Sequence, residues 1–382
     1  MSKIIYLDHG ATTAVDERVL NKMIPYFNIS YGNPSSMYGI GRQNKMVIER
    51  ARQEVAKVIN CNPKEIYFTS CGSESDNLAL KGIMYANKEK GKHIITSKVE
   101  HPAIMNTCAT LKRQGFDITY LNVNKEGFVK LDELRNAIRN DTVLISIMFA
   151  NNEIGTIQNI MEISKIAKEN NIIFHTDAVQ AVGNIKIDVQ KLGVDSLSMS
   201  AHKFYGPKGV GALYVKNDIN IERIQDGGHQ EKGMRSGTEN VAGIVGLAEA
   251  LKMAYKELDE NNKKILENRN YFIEEIKENF KETTINGNLE HRLPGNINVT
   301  FKGKDSLEIL LKLDEYGICA SSGSACSTGE DKPSHVLTAI GLSPEEAFST
   351  IRFSLGKENI KEDIDYTISI LSKIWKKIIN VV

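Results

Sequence analysis

Lys203 stands in the run Ser198-Met-Ser-Ala-His-Lys-Phe-Tyr-Gly-Pro-Lys-Gly209, after an apolar stretch and before a glycine-punctuated turn. Val194 to Met199 reads as a buried strand, and Gly206-Pro207 and Gly209 oppose helix, so Lys203 is expected on a loop at a strand end. An amine in that place, with Ser200 and His202 just ahead of it, suits pyridoxal 5'-phosphate: the amine can form a Schiff base while the two neighbours donate to the phosphate. An ordinary solvated loop lysine is the plainer alternative.

Four further segments could serve the same cofactor. Thr69-Ser-Cys-Gly-Ser-Glu-Ser75 supplies strand, glycine, hydroxyl and helix in order, as a phosphate cradle requires, with Gly72 allowing close approach and Ser73 adding a donor. His175-Thr-Asp-Ala-Val-Gln180 ends an apolar strand in an acid: Asp177 facing a pyridine nitrogen would keep it protonated, and Gln180 could reach the ring hydroxyl. His101, in Glu100-His-Pro102, is placed to lie on the ring and pass a proton, and Asn152 in Asn151-Asn-Glu-Ile-Gly155 is placed to orient cofactor or substrate. The first three have plainer readings, respectively a serine N-cap, a helix-capping aspartate and a structural histidine. Their joint occurrence at strand ends that converge on one crevice favours the chemical reading.

The elements that must hold these residues alternate. Segments 65–69, 92–96, 117–121, 142–148, 172–176, 194–199 and 210–215 read as strands, and amphipathic stretches 74–88, 103–114, 131–138 and 160–169 separate several of them. This pattern predicts an α/β fold with a mostly parallel seven-stranded sheet, helices on both faces and strand C-terminal ends facing one crevice. Helical spacing runs from Val241 to about Phe280, and a final helix is expected from Ile360, with Asn359 and Glu362 in capping-box spacing. A large domain over 15–260 and a smaller α+β C-terminal domain of 1–14 and 261–382 are expected.

Composition narrows the class. The chain has 382 residues, 25% charged, with 48 basic and 48 acidic side chains, so no charge excess points to nucleic acid or an anionic membrane. No run of 18 apolar residues and no signal-peptide pattern occurs, which places the protein in the cytoplasm as an expectation. Five cysteines (Cys61, Cys71, Cys108, Cys319 and Cys326) without a CxxC pair fit neither a disulfide framework nor a zinc site, and no metal is expected.

The segments LDHGATT, GNPSS, TSCGSESDN, NNEIG, HTDAVQ, SAHKFYGPKG, MRSGT, SSGSACSTG and IRFSLG, in this order, resemble the cysteine desulfurases of the NifS/IscS type, pyridoxal-phosphate enzymes of fold type I in the class V aminotransferase group. The resemblance runs nearly end to end. It implies Lys203 as the Schiff-base lysine, Asp177 as partner of the pyridinium nitrogen, Gln180 as donor to the ring oxygen and His101 as the stacking acid–base. It implies phosphate contacts from Gly72, Ser73, Ser200 and His202, and from Thr238 of a second subunit in a homodimer. Asn152 and Arg352 would orient the substrate amino acid, and Cys326 would take the sulfur of L-cysteine as a persulfide, leaving L-alanine. The sulfur would pass to an iron–sulfur scaffold protein or another acceptor. From its residues alone, Cys326 is a thiol on a glycine- and serine-rich loop.

The sequence departs from the family at His9-Gly10 and at Cys71, which stands where glycine is common and would be a second thiol beside the phosphate site. It ends at Val382, soon after its last helical stretch, where housekeeping members carry a longer tail that docks the scaffold, so the acceptor stays open. A selenocysteine lyase or aminotransferase on the same fold, and a non-catalytic sulfur-assembly binding protein, are the alternatives.

Overall fold

The computed structural model describes residues 4–322 and 332–379. Its strands are β1 (Ile5–Tyr6), β2 (Ile66–Thr69), β3 (His93–Ser97), β4 (Asp117–Leu121), β5 (Thr142–Ser146), β6 (Ile173–Asp177), β7 (Ser196–Ser200), β8 (Gly211–Val215), β9 (Thr283–Ile285), β10 (Asn296–Phe301), β11 (Ile318–Cys319), β12 (Ser321–Ser322) and β13 (Thr350–Ser354). Seven form the main sheet in the order β2-β8-β7-β6-β5-β3-β4. Only β8 runs against the rest, pairing antiparallel with both β2 and β7. The other six therefore deliver their C-terminal ends to one edge of the sheet.

β5 and β7 have no exposed face, as expected for strands covered on both sides. On one face, Leu78 and Ile83 of the helix Gly72–Ala86 and Ile104 and Leu111 of the helix Pro102–Arg113 pack with Ile94, Leu144 and Leu213. On the other, Ile48 and Val55 of Gly39–Ile59 and Leu247 of Val241–Lys256 pack with Ile66, Ile145, Phe174 and Met199.

A third core joins the two ends of the chain. Ile5 and Leu7 pack there with Phe272, Val299, Phe301, Ile351, Phe353 and Leu371, around a four-stranded antiparallel sheet ordered β12-β13-β10-β9. β1 pairs in parallel with β11, through Ile5 opposite Ile318 and Tyr6 opposite Cys319. Strand β13 carries the IRFSLG segment and was not foreseen, although Ile351 and Phe353 alternating with Arg352 give the period of two that marks a strand.

Two local expectations are corrected. The helical run after Val241 is not continuous: it breaks at Glu257 into Val241–Lys256 and Leu258–Asn279. There the Glu257 carboxylate pairs with Arg18 at 2.6 Å. The last helix, Lys361–Ile379, does not use the expected Asn359–Glu362 capping box. Asn359 is buried and serves the loop instead, accepting from Gly356 N–H at 2.8 Å and donating to Tyr6 O at 3.1 Å, while Asp363 accepts from Ile360 N–H at 3.2 Å.

The segment leading to Thr238 is held by a buried ion pair. Arg52 donates to both carboxylate oxygens of Glu231, at 2.7 and 2.8 Å, and Glu231 also accepts from Phe68 N–H at 2.8 Å. Both side chains are 3% exposed. Removing Glu231 leaves the buried Arg52 with the half-exposed Glu49 as its counter-charge and a cavity where the bidentate pair stood. Glu231→Ala is therefore expected to cost about 3–5 kcal/mol, read as a lowered urea midpoint, whereas Glu49→Ala, at the solvent end of the same arginine, stays within about 1 kcal/mol of wild type.

Candidate active site

A cavity of about 390 Å³ opens where the parallel strands end. Lys203 lies in the single helical turn Ala201–Lys203 directly after β7, so the lysine read as a loop residue in fact closes a short turn. Its Nζ donates to the carbonyls of Gly10 and Ala11, at 2.6 and 2.7 Å. Gln180 Nε2 donates to the same Gly10 carbonyl at 2.9 Å. The N-terminal LDHGATT turn is thus a wall of the site.

Asp177 closes β6. It is 5% exposed and accepts from Val179 N–H at 2.9 Å. Burial raises its affinity for a proton, while His101 and Lys203 act in the opposite direction. His101 caps the helix Pro102–Arg113, with Nδ1 accepting from Ala103 N–H at 3.1 Å. That bond assigns the proton of the neutral ring to Nε2. Burial, aided by Lys203 and His335, moves His101 below the usual histidine range. The His202 ring bonds Thr12 Oγ1 at 3.0 Å and is pushed down to about 4 by burial and by Lys203 and Lys208.

The start of the helix Gly72–Ala86 forms one wall of the cavity. A Cβ on Gly72 would come within 2.5 Å of Val179 Cγ2, so only glycine lets the helix approach the turn after β6. The N-cap is Cys71, whose sulfur accepts from Glu74 N–H at 3.4 Å. The unusual thiol is therefore engaged in capping. Ser73, Ser200 and His202 line the same cavity.

Asn152 and Arg352 complete the lining. Arg352 is 1% exposed; its Nη1 donates to Asn152 O at 3.0 Å and its Nη2 to Asp8 Oδ1 at 2.7 Å, while its Nε has no partner. Asp8 also accepts from Ser321 Oγ at 2.7 Å. The other departure from the family is accommodated by a glycine: a Cβ on Gly356 would meet the His9 ring at 2.3 Å, and His9 Nδ1 lies 3.1 Å from Ser354 O.

One cavity therefore brings together Gly72, Ser73, His101, Asn152, Asp177, Gln180, Ser200, His202, Lys203 and Arg352. Thr238 does not line it; it lines a separate one with Glu231 and Arg235. Cys326 lies outside the described residues.

The sequence profile of the class-V aminotransferases matches residues 5–367. The chain belongs to the class-V aminotransferase family. Within this family it is 50% identical, over 99% of its length and 96% of the relative's, to cysteine desulfurase IscS of Clostridium botulinum. Among solved structures it is similar to a NifS-like protein, with a TM-score of 0.93 and 40% identity over 98% of this chain and all of that one. It is also similar to SspA in complex with cysteine, with a TM-score of 0.82 and 37% identity over 93% of this chain and all of that one. Like this class-V family, the chain depends on pyridoxal phosphate. The cavity's residues fit that group: a helix N-terminus without a side chain at Gly72, a buried acid at Asp177 and an amine at Lys203 occupy separate parts of one lining.

Several groups of the site were missed in the sequence. Asp8 and Asp76 lie inside quoted motifs, and Asp76 follows Gly72 by one helical turn, a spacing that returns it to the same face. Glu100 and His175 also begin quoted segments, but nothing in their spacing marks them as buried groups of the site. Glu100 is fully buried, accepting from Ser97 Oγ at 2.5 Å and from Met148 N–H at 3.0 Å. Burial pushes its carboxyl up to about 8 and Glu153 up to about 7, and pushes His175 down to about 3.

These shifts act on opposite limbs of the stability curve. Between its ordinary 4.5 and about 8, Glu100 is protonated in the folded chain and ionised in the unfolded one, so stability falls as pH rises through that window. His175 is neutral when folded and charged when unfolded between its ordinary 6.5 and about 3, so stability falls as pH drops through that range. Glu100→Gln should remove up to about 1.4 kcal/mol per pH unit from the alkaline slope, leaving the contribution of Glu153 and the acid limb unchanged, as read by urea midpoints against pH.

Proposed function

We propose that this class-V family member is a cysteine desulfurase that converts L-cysteine to L-alanine and receives the sulfur on Cys326 as a persulfide. The observation that carries the reading is the convergence of an amine, a buried acid, a histidine and a buried guanidinium on one cavity beside a helix that starts at a glycine. When bound, pyridoxal phosphate supplies an electron sink for the Cα of an amino acid. Lys203 holds the cofactor through its amine and then moves the Cα proton. Gly72, Ser73, Ser200 and His202 hold the phosphate, and Asp177 holds the proton at the ring nitrogen. Gln180 donates to the ring oxygen. His101, held below the usual histidine range, would lie against the ring and take up or release a proton.

Arg352 and Asn152 orient the substrate, the guanidinium meeting its carboxylate. The Cys326 thiolate attacks the substrate sulfur; a sulfur–sulfur bond forms, the carbon–sulfur bond breaks with its electron pair left on carbon, and protonation there gives alanine. An iron–sulfur scaffold or another thiol acceptor then takes the sulfane sulfur.

Assembly as a homodimer is supported by exposed apolar side chains in and just after the N-terminal helices. Leu20, Ile24, Phe27, Ile29, Tyr31 and Met37 are all exposed, Phe27 by 63% and Met37 by 88%, which suits this part of the chain to a second copy. Thr238, which does not line its own chain's cavity, is then available to the partner's phosphate site. We assign residues 15–260 to a cofactor domain and residues 1–14 with 261–382 to a small domain carrying the Cys326 loop, a division supported by the core that Ile5 and Leu7 share with Phe272 and Phe353. Among the described residues no helix is long and apolar enough to cross a membrane, which is compatible with a cytoplasmic enzyme.

The purified protein is expected to release alanine from L-cysteine and to carry added sulfur on the peptide containing Cys326, removable by a reducing thiol. Cys326→Ser should keep the cofactor and the spectral change on adding L-cysteine while making almost no alanine. Normal turnover by that variant, or sulfur mapping to Cys71 or Cys319, would remove the assignment.

Assembly is tested separately. Sedimentation should give a dimer, and Thr238→Ala should weaken cofactor retention by about 1–3 kcal/mol, the cost of a lost charge-assisted hydrogen bond. A fully loaded, active monomer would contradict the shared site.

A further inference from the structure

Asp76 is an acid of the cavity to which the reaction above assigns no part. It sits on the helix Gly72–Ala86, is 1% exposed, and lines the same cavity as Asp177. One polar atom each of Asp76, His101 and Asp177 lie within 4.8 Å of one another. Two carboxylates that close, both shielded from water, do not ionise together without a cation between them.

The surroundings of the two acids differ. Asp177 is within electrostatic reach of His101 and Lys203, both of which favour its charged form, and Val179 N–H donates to it at 2.9 Å. No cation is among the groups that act most on Asp76. At its own helix's N-cap it faces Cys71, from β6 Asp177 and from the turn after β3 the buried acid Glu100, all of which oppose its charge; the Ser198 hydroxyl of β7 is a hydrogen-bond partner that favours it, and burial outweighs that bond. Besides His101, within 4.8 Å, its neighbour is His175, whose Nε2 is 3.8 Å from Asp76 Oδ1. That ring is shared between two hydroxyls, Ser146 at 2.9 Å on Nδ1 and Ser198 at 3.1 Å on Nε2, and burial keeps it neutral. Asp76 Oδ1 itself has no hydrogen-bond partner. A bare, buried carboxylate oxygen beside another acid is a costly place for a charge, and a proton removes that cost.

We propose that Asp76 and Asp177 form a one-proton carboxyl pair in which Asp76 holds the proton, so that Asp177 alone is charged and available to a pyridinium. Asp76 is then a positioning residue: it contributes no charge to the ring, and its proton fixes which of the two acids carries the negative charge. The part about the ring rests on the proposed cofactor chemistry. The protonation of the pair does not, and is measured without cysteine.

The test is infrared difference spectroscopy of the purified holoenzyme at neutral pH, reading the carbonyl stretch of protonated carboxylic acids. Glu100 also contributes there, so the protein is prepared with aspartate labelled by carbon-13 at its side-chain carboxyl. Part of the band should shift with the label in the wild type, which requires no variant. That shifted part should vanish in Asp76→Asn, a neutral isostere that still retains the cofactor, and persist in Asp177→Asn. The absence of any label-sensitive band, or a band lost in Asp177→Asn and kept in Asp76→Asn, would overturn the proposal. Loss of desulfuration with the labelled band intact would count against the proposed function and leave the pair standing.

Discussion

A guanidinium buried to 1% exposure needs partners, and those of Arg352 come from two other parts of the chain. Asp8 arrives from the first strand's end and Asn152 from the turn beyond β5, so one side chain fixes the N-terminal segment and the small sheet against the large one. The consequence reaches Lys203. Because Asp8 is held, the carbonyls of Gly10 and Ala11 stand where the lysine amine donates to them, and Gln180 is tied to the same point. Asp8 also accepts from Ser321, at the last stretch described before the segment that contains Cys326.

Burial sets the electrostatics of the cavity more than contact with any single charge does. It pushes the imidazoles of His101, His175 and His202 down and the carboxyls of Glu100 and Asp177 up, in each case disfavouring the charged form. A class-V site formed this way offers neutral donors and acceptors around a few selected charges. The helix start on this cavity depends instead on backbone: Gly72 lets it press against Val179, and Cys71 spends its sulfur on a cap.

The pattern of apolar runs and glycine breaks specified the seven main strands to within a few residues, because strands buried on both faces must be apolar along their length. The small sheet was less visible. Its strands β1, β11 and β12 are two residues long, and β13 places Arg352 among buried apolar neighbours, a polar residue that only a distant carboxylate makes tolerable there. The capping of the last helix was misread for a similar reason: Asn359 is claimed by Tyr6 and Gly356, and Tyr6 lies far from it in sequence.

What the sequence determined by itself was the set of reactive side chains that follow strand ends, since a lysine after β7, an acid closing β6 and a glycine after β2 are local facts of composition and spacing. The resemblance to class-V enzymes could be carried by those motifs alone. Tertiary structure decided the electrostatic partners: Asp8 on Arg352, Gly10 and Ala11 on Lys203, and Asp76 beside Asp177 are pairs separated by about 100 to more than 300 positions. Their energies arise from mutual burial and distance, neither of which exists until the sheet edge and the N-terminal turn have closed on the same cavity.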